Sequence, residues 1–221
     1  MQYFHRQVQL WGQERQELLQ KKRIAIIGSG GLGSSLAFAL GASGIGEIHM
    51  VDFDEVSLHN IHRQIAFTME DVGKNKAQVN THILKERCPY VEAIAHETDF
   101  ETWSKKEIEV DLIIDATDNL PTRAAINSYA KEKDLPWVYG SVEAFHGQVA
   151  FIEKSSFSDS FKIVDKTPAG IAAPIVMHIA SLQANLALRY LADLTVKKDL
   201  LYYLFFNDEG ELVTQKFGLP K

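Results

Sequence analysis

The 221-residue sequence predicts an α/β fold, a doubly wound and mostly parallel sheet extended by an antiparallel C-terminal hairpin. Three observations predict it. A short apolar run, Ile24-Ala25-Ile26-Ile27, stops at a glycine cluster and is followed by a helical pattern and a second apolar run. That order is a strand–helix–strand unit. Strand-like and helix-like stretches then alternate as far as Ile152. Near the end, two apolar segments flank Asn207-Asp208-Glu209-Gly210, a turn sequence that joins antiparallel strands.

The elements follow in order. Residues 1–22 are polar and periodic, and Val8, Leu10, Trp11, Leu18 and Leu19 suit one or two short helices laid on the body. Lys21-Lys22-Arg23 is a solvated lead into the first strand. Leu32, Leu36, Phe38, Ala39 and Leu40 fit a helix that closes near Gly41 to Gly46, and Glu47 to Asp52 reads as the second strand. A helix is expected over Val72 to Arg87 between two loops, then a strand over Val91 to Ala95. Asp111 to Ala116 is a strong strand that ends in polar residues. Thr122 to Lys133 reads as a helix, and Trp137 to Tyr139 and Gln148 to Ile152 as strands. Residues 153–168 are polar, with serines and a proline, and read as an exposed loop. Ala172 to Leu191 is a long helix with Ile175, Ile179, Leu182, Leu186 and Tyr190 near helical spacing. His178, Gln183, Asn185 and Arg189 interrupt it, so it belongs in a core or a subunit interface and not in a bilayer. The whole chain is read as one domain: a core over about 23–152, a connecting loop over about 153–168, and a C-terminal helix and hairpin over about 169–219.

Composition narrows the function. Hydrophobic residues at 46% and charged residues at 24% exclude disorder for the bulk of the chain. A net charge of −6 argues against broad nucleic-acid binding. A single cysteine, Cys88 at a helix end, allows no intrachain disulfide and no four-cysteine zinc site, and reads as a buried thiol. The polar N-terminus is not a signal peptide, no apolar run spans a membrane, and a cytoplasmic protein is the expectation.

Gly28-Ser29-Gly30-Gly31-Leu32-Gly33 matches G-x-G-x-x-G between a strand and a helix, the context in which the motif carries meaning. The glycines let the backbone turn tightly and approach phosphates, and the helix start offers free N–H donors. Asp52 lies about 20 residues further on, placed to accept ribose hydroxyls in a Rossmann-like site. The motif alone does not choose between NAD, FAD and ATP. Asn60, Arg63 and Gln64 follow in His59-Asn60-Ile61-His62-Arg63-Gln64, and Lys74 and Lys76 in Gly73-Lys74-Asn75-Lys76. A triphosphate needs fixed cations, which Arg63 and Lys76 supply. Asp118, just past the Asp111 to Ala116 strand, is placed to hold Mg²⁺ against phosphate oxygens; capping of the turn is the plainer reading for one of the two acids, with Asp115 the candidate.

Together these residues resemble the ThiF/MoeB/HesA family of E1-like adenylyltransferases, which activate ubiquitin-like sulfur carriers. The matching stretches are Arg6-Gln7, GSGGLG at 28–33, VDFDEVSLHNIHRQ at 51–64, VGKNKA at 72–77, DATDN at 115–119, Gly147-Gln148, AGIAAP at 169–174 and SLQANLALRYL at 181–191. The resemblance implies adenylylation, with Mg²⁺ and ATP, of the C-terminal glycine of a ThiS- or MoaD-like carrier, in thiamine or molybdenum-cofactor biosynthesis. By position it puts Gly28, Gly30, Gly31 and Gly33 at the phosphates, Asp52 at the ribose, and Asn60, Arg63, Gln64 and Lys76 around the nucleotide. It puts Asp118 on Mg²⁺, and makes Arg6 an arginine that reaches the nucleotide of the other subunit in a homodimer. The chain departs from the family in two ways. Both Cys-x-x-Cys pairs are missing, so no zinc is expected, and His59 and His62 are read as facing the nucleotide loop or solvent. No thiol falls near Asp165 and Lys166, where the family often has one, so sulfur transfer would need a separate donor. Three alternatives stay open: an ATP enzyme like the tRNA threonylcarbamoyladenosine dehydratases, an NAD(P) oxidoreductase, and a non-catalytic nucleotide-binding scaffold.

Overall fold

The structure is a computed structural model and describes residues 2–161 and 170–221. Eight helices and eight strands are described: α1 (His5–Trp11), α2 (Gln13–Leu19), β1 (Arg23–Ile27), α3 (Gly31–Ala42), β2 (Glu47–Val51), α4 (Lys76–Arg87), β3 (Glu92–His96), α5 (Phe100–Ser104), β4 (Leu112–Asp115), α6 (Leu120–Glu132), β5 (Trp137–Glu143), β6 (His146–Ile152), α7 (Phe157–Ser160), α8 (Ala173–Leu191), β7 (Leu200–Phe206) and β8 (Leu212–Gly218).

The strands form one sheet in the order β3-β2-β1-β4-β5-β6-β7-β8. The first five are parallel, with Ile26 opposite Met50 on one side and Ile114 on the other, and β6, β7 and β8 run antiparallel. The doubly wound reading holds because each central strand is buried on both faces. Ile24 and Ile26 pack with α3, α4 and α8 on one face, and Ala25 and Ile27 with α5, α6 and α7 on the other. This two-sided burial is why β1 and β4 appear in the sequence as unbroken apolar runs. The direction change after β5 marks the start of the antiparallel extension.

Helix starts follow their caps. Asn75 accepts the Gln78 N–H at 3.1 Å, Asp99 accepts Thr102 at 2.7 Å and Asn119 accepts Thr122 at 2.9 Å. Two expectations need correction, and one element was not expected. The helix placed over Val72 to Arg87 begins only at Lys76, because Gly73 has φ +85° and Glu55 pairs with Asn75 in an isolated bridge. Helix α5 falls in a stretch for which the sequence predicts no element. Residues 153–161 are not an exposed loop: Asp199 accepts the N–H groups of Glu153, Lys154 and Ser155, and Phe157 is fully buried. The remainder of that expected loop, with Asp165 and Lys166, lies outside the described residues. Among those described, no helix is long and apolar enough to cross a membrane.

Candidate nucleotide site

The parallel strands β1, β2 and β4 end side by side, and their carboxyl ends carry the expected site. Gly28, at φ +97°, ends β1 where an added Cβ would stand 2.6 Å from the Ala116 carbonyl oxygen. Gly33 lies in the first turn of α3, and a Cβ there would stand 2.0 Å from the Gly28 carbonyl oxygen. The two glycines therefore let β1, α3 and the start of the β4–α6 loop close on one another. The N-terminus of α3 has no side-chain cap, since Gly30 is its cap residue. Its first-turn N–H donors and positive dipole end face the turn, a ready-made anion site.

Asp52 follows β2. Its Oδ2 accepts the Ser29 N–H at 2.6 Å and its Oδ1 the Asp54 N–H at 2.8 Å. Burial pushes its carboxyl above the usual carboxylate range, and these two N–H bonds pull the other way. The acid thus braces the glycine turn and retains lone pairs for further donors.

The segment after Asp52 folds back beside the glycines. Asn60 is buried and closes a capping box, its Oδ1 accepting the Ser57 N–H at 3.2 Å. Arg63 is half-buried, donates through Nη1 to the His59 carbonyl at 3.1 Å, and has its own carbonyl beside Gly31. Gln64 is 4% exposed and packs against Gly30. His59 and His62 are exposed. The two neighbouring lysines separate cleanly. Lys74 is exposed and pairs with Asp71 at 2.9 Å, whereas Lys76 is 7% exposed and pairs with Asp54 Oδ2 at 2.8 Å. Lys76 is therefore the cation held at the site.

Asp115 and Asp118 also separate. Asp115 is fully buried; its Oδ1 accepts from the Thr117 N–H and hydroxyl, and its Oδ2 from Arg123 Nε at 3.1 Å. Asp118 is exposed and makes no hydrogen bond or ion pair among the described residues. A lone carboxylate at the strand ends fits Mg²⁺, which takes one or two carboxylates and completes its shell with phosphate oxygens and water. No cluster of three or more His, Cys, Asp or Glu suited to a metal occurs among the described residues. Asp118 would hold the ion, which would neutralise phosphate charge there.

Arg6 lies elsewhere. α1 is tied to the far end of α3 by Gln7 Nε2, which donates to the Ser43 carbonyl at 2.8 Å. The 12 residues of α3 put about 18 Å between that end and the glycine turn. Among the described residues the Arg6 side chain makes one hydrogen bond, to Gln9 at 3.4 Å, and it is not beside its own chain's glycine loop.

Sequence reasoning missed three polar residues: Asn80, Arg123 and Gln183. Asn80 is buried in α4 and donates to the Ser29 carbonyl at 3.0 Å, and Gln183 of α8 donates to the Asp115 carbonyl at 2.7 Å. Their signal was a polar residue on the apolar face of a helix. Among the described residues, the side-chain oxygens of Ser29, Gln64 and Asn80 are buried without a partner, and all three adjoin the glycine turn. Unsatisfied polar atoms at that one place suit a polar ligand.

Fold and candidate site together define a doubly wound α/β domain with a glycine turn, an acid after its second strand and a fixed lysine. Within that class the chain belongs to the ThiF family, whose model matches residues 4–217. A sulfur carrier protein adenylyltransferase of Thermus thermophilus is 38% identical over 151 residues, 66% of this chain and 56% of that protein. This chain therefore spans just over half of that relative. The sulfur carrier protein ThiS adenylyltransferase of Escherichia coli is 30% identical over 188 residues, 80% of this chain and 75% of that protein. Among solved structures, Escherichia coli MccB with ATP superposes with a TM-score of 0.84 at 22% identity, covering 99% of this chain and 72% of that one, a likeness of fold.

Proposed function

We propose that this chain is an adenylyltransferase that uses Mg²⁺ and ATP to activate the C-terminal glycine of a small ubiquitin-like sulfur carrier. The observation that carries the reading is the convergence of the uncapped α3 turn, Asp52, the Asn60–Gln64 segment and the buried Lys76 on one set of strand ends. A dinucleotide oxidoreductase needs the first two and has no use for the rest. The names of the relatives point to carriers of thiamine or molybdopterin synthesis.

In the proposed reaction a carboxylate oxygen of the carrier's terminal glycine attacks the α-phosphorus. The bond from the α-phosphorus to the bridging oxygen breaks, and pyrophosphate leaves with that electron pair. The protein's task is positioning and charge neutralisation. The α3 N–H groups receive phosphate oxygens, and Asp52 orients the ribose through its free lone pairs. Asn60 and Gln64 line the turn, and Arg63 and Lys76 stabilise charge gathering on the leaving pyrophosphate. Asp118 would hold the magnesium ion, which would supply charge neutralisation at the phosphates. Arg6 acts from the second subunit of a homodimer. The lack of a cysteine near Asp165 and Lys166 leaves this half-reaction untouched, and sulfur then comes from a separate donor.

The test is ATP–pyrophosphate exchange with Mg²⁺ and purified carriers ending in Gly-Gly, with NAD binding as a control. Carrier-dependent exchange supports the reading and identifies the pathway. ATP binding without exchange under any carrier or small carboxylate replaces it with a scaffold, and NAD binding alone replaces it with a dehydrogenase.

A further inference from the structure

Arg123 is a charge that the proposed mechanism does not use. It is 6% exposed, on the first turn and a half of α6, and its guanidinium is buried against the end of β4 and the middle of β5. Nε donates to Asp115 Oδ2 at 3.1 Å, and Nη2 donates to the carbonyls of Thr117 at 2.6 Å and Gly140 at 3.1 Å. The guanidinium lies over the Tyr139 ring, 5.3 Å from its centroid. Asp115 in turn receives the Thr117 N–H at 2.9 Å and its hydroxyl at 2.6 Å. The carboxylate thus holds Thr117 by its N–H and the guanidinium by its C=O, which ties down the peptide groups on either side of that residue. Thr117 is the residue immediately before Asp118.

A buried ion pair is a poor device for stability alone, because desolvation offsets much of the attraction and apolar residues of the same volume serve as well. What the pair does here is local. Every strong bond it makes beyond itself ends on the β4–α6 loop or on the strand beside it. Among the described residues the exposed Asp118 has no partner of its own to fix it, and it is followed by Asn119, which caps α6. Its position is therefore set by the residue on either side.

We propose that Arg123 is a positioning residue for Asp118, clamping the 116–118 loop so that the carboxylate stays aimed at the metal and phosphate end of the site. The role is one for arginine. Lysine offers a single point charge and does not reach Asp115, Thr117 and Gly140 together in a planar fork. The inference rests on the function proposed above, since it assigns Asp118 to the ion.

The test compares wild type with R123K, and with the paired change D115N/R123M, which removes both charges and so leaves neither buried alone. Calorimetry measures ATP binding with and without Mg²⁺, and amide hydrogen exchange reads residues 116–120 of the free protein. Support requires that ATP affinity without Mg²⁺ stays within about twofold of wild type. It also requires that the gain on adding Mg²⁺ falls by about 10-fold or more, the usual cost of losing a support behind a metal ligand. Exchange at 116–120 should rise in step. In a D118N background R123K should make no further difference to the Mg²⁺ gain. An unchanged Mg²⁺ gain in two folded variants overturns the proposal, as does a full additional loss in the D118N background. Should wild type itself bind ATP with no help from Mg²⁺, the proposed function is what fails, and hydrogen exchange then decides the clamp: protection at 116–120 equal to wild type overturns it.

Discussion

Arg63 and Asp118 are both placed in the proposed reaction, and neither is spent on the fold. Arg63 gives one bond to a neighbouring carbonyl, and Asp118 has none among the described residues. Arg63→Ala and Asp118→Ala should therefore each slow ATP–pyrophosphate exchange by about 10²-fold or more, on the order of 3 kcal/mol, while melting like wild type. Normal exchange in both would remove the assignment. A different residue should dominate the acid limb of stability. His96 Nε2 stands 2.8 Å from His49 Nδ1, and His49 Nε2 stands 2.6 Å from Glu47 Oε1. Burial first, then His49 and Lys106, lower the His96 pKa from 6.5 to about 4. Folded His96 thus stays neutral where the unfolded chain takes up a proton. Stability is then lost as pH falls from about 6.5 towards 4. The full shift would amount to about 3 kcal/mol, and partial exposure of the ring cuts it to about 1–2 kcal/mol. Denaturant titrations at pH 7 and pH 4.5 should show that difference in wild type and a correspondingly smaller one in His96→Gln. Equal losses in the two proteins would rule the ring out.

Elements make the site by their ends, and one glycine shows how tightly. At Gly33 a methyl group would stand 2.0 Å from the Gly28 carbonyl oxygen, a backbone atom that cannot swing aside. Gly33→Ala must lift α3 off β1, at about 2–3 kcal/mol, and should lose ATP binding with it. Thermal melts and nucleotide titration read the two effects separately, and an unshifted melt would mean that the contact relaxes cheaply. The strands, the long helices, the hairpin and the glycine turn were readable from the sequence because burial on two faces, helical spacing and glycines leave periodic traces. Helix α5 was not, although Asp99 capping Thr102 and the Phe100/Trp103 spacing marked it, because five residues hold too little periodicity. The burial of Ser155, Ser156 and Phe157 was also hidden. It depends on Asp199, far along the chain, accepting three N–H groups, and a polar stretch carries no local trace of that partner. At the site, residue types and spacing pointed to Asp52 and Lys76, while Arg123, Asn80 and Gln183 became visible only once their partners had been brought together in space. The contrast between Lys74 and Lys76 was of the same kind, since only the fold shows that Lys76 is buried and Lys74 exposed.

For the molecule as a whole, the role proposed for Arg6 meets a distance, because α1 sits at the far end of α3 from the glycine turn. Gln16, fully buried, fixes the arrangement: its Oε1 accepts from Gln7 at 3.1 Å and Trp11 at 3.2 Å, and its Nε2 donates to the Ser43 carbonyl at 3.0 Å. With α1 anchored there, the span of α3 separates Arg6 from its own glycine turn by far more than an arginine side chain reaches. A catalytic role for Arg6 then requires a second copy, and in a two-fold dimer each arm would complete the other subunit's site. That arrangement makes a quantitative prediction. Arg6→Ala and Asp118→Ala homodimers should each be nearly inactive. In a subunit-exchanged equimolar mixture, half of the dimers pair one chain of each kind, and in these one site of two has both an intact Asp118 and an intact Arg6. Exchange activity should recover to about a quarter of wild type. Recovery confined to the few per cent of the separate variants would place Arg6 within its own subunit's site, and a fully active Arg6→Ala homodimer would place it outside the reaction. Sedimentation of the same mixture reads the dimer directly, so that a monomer is told apart from a dimer whose arms do not cross.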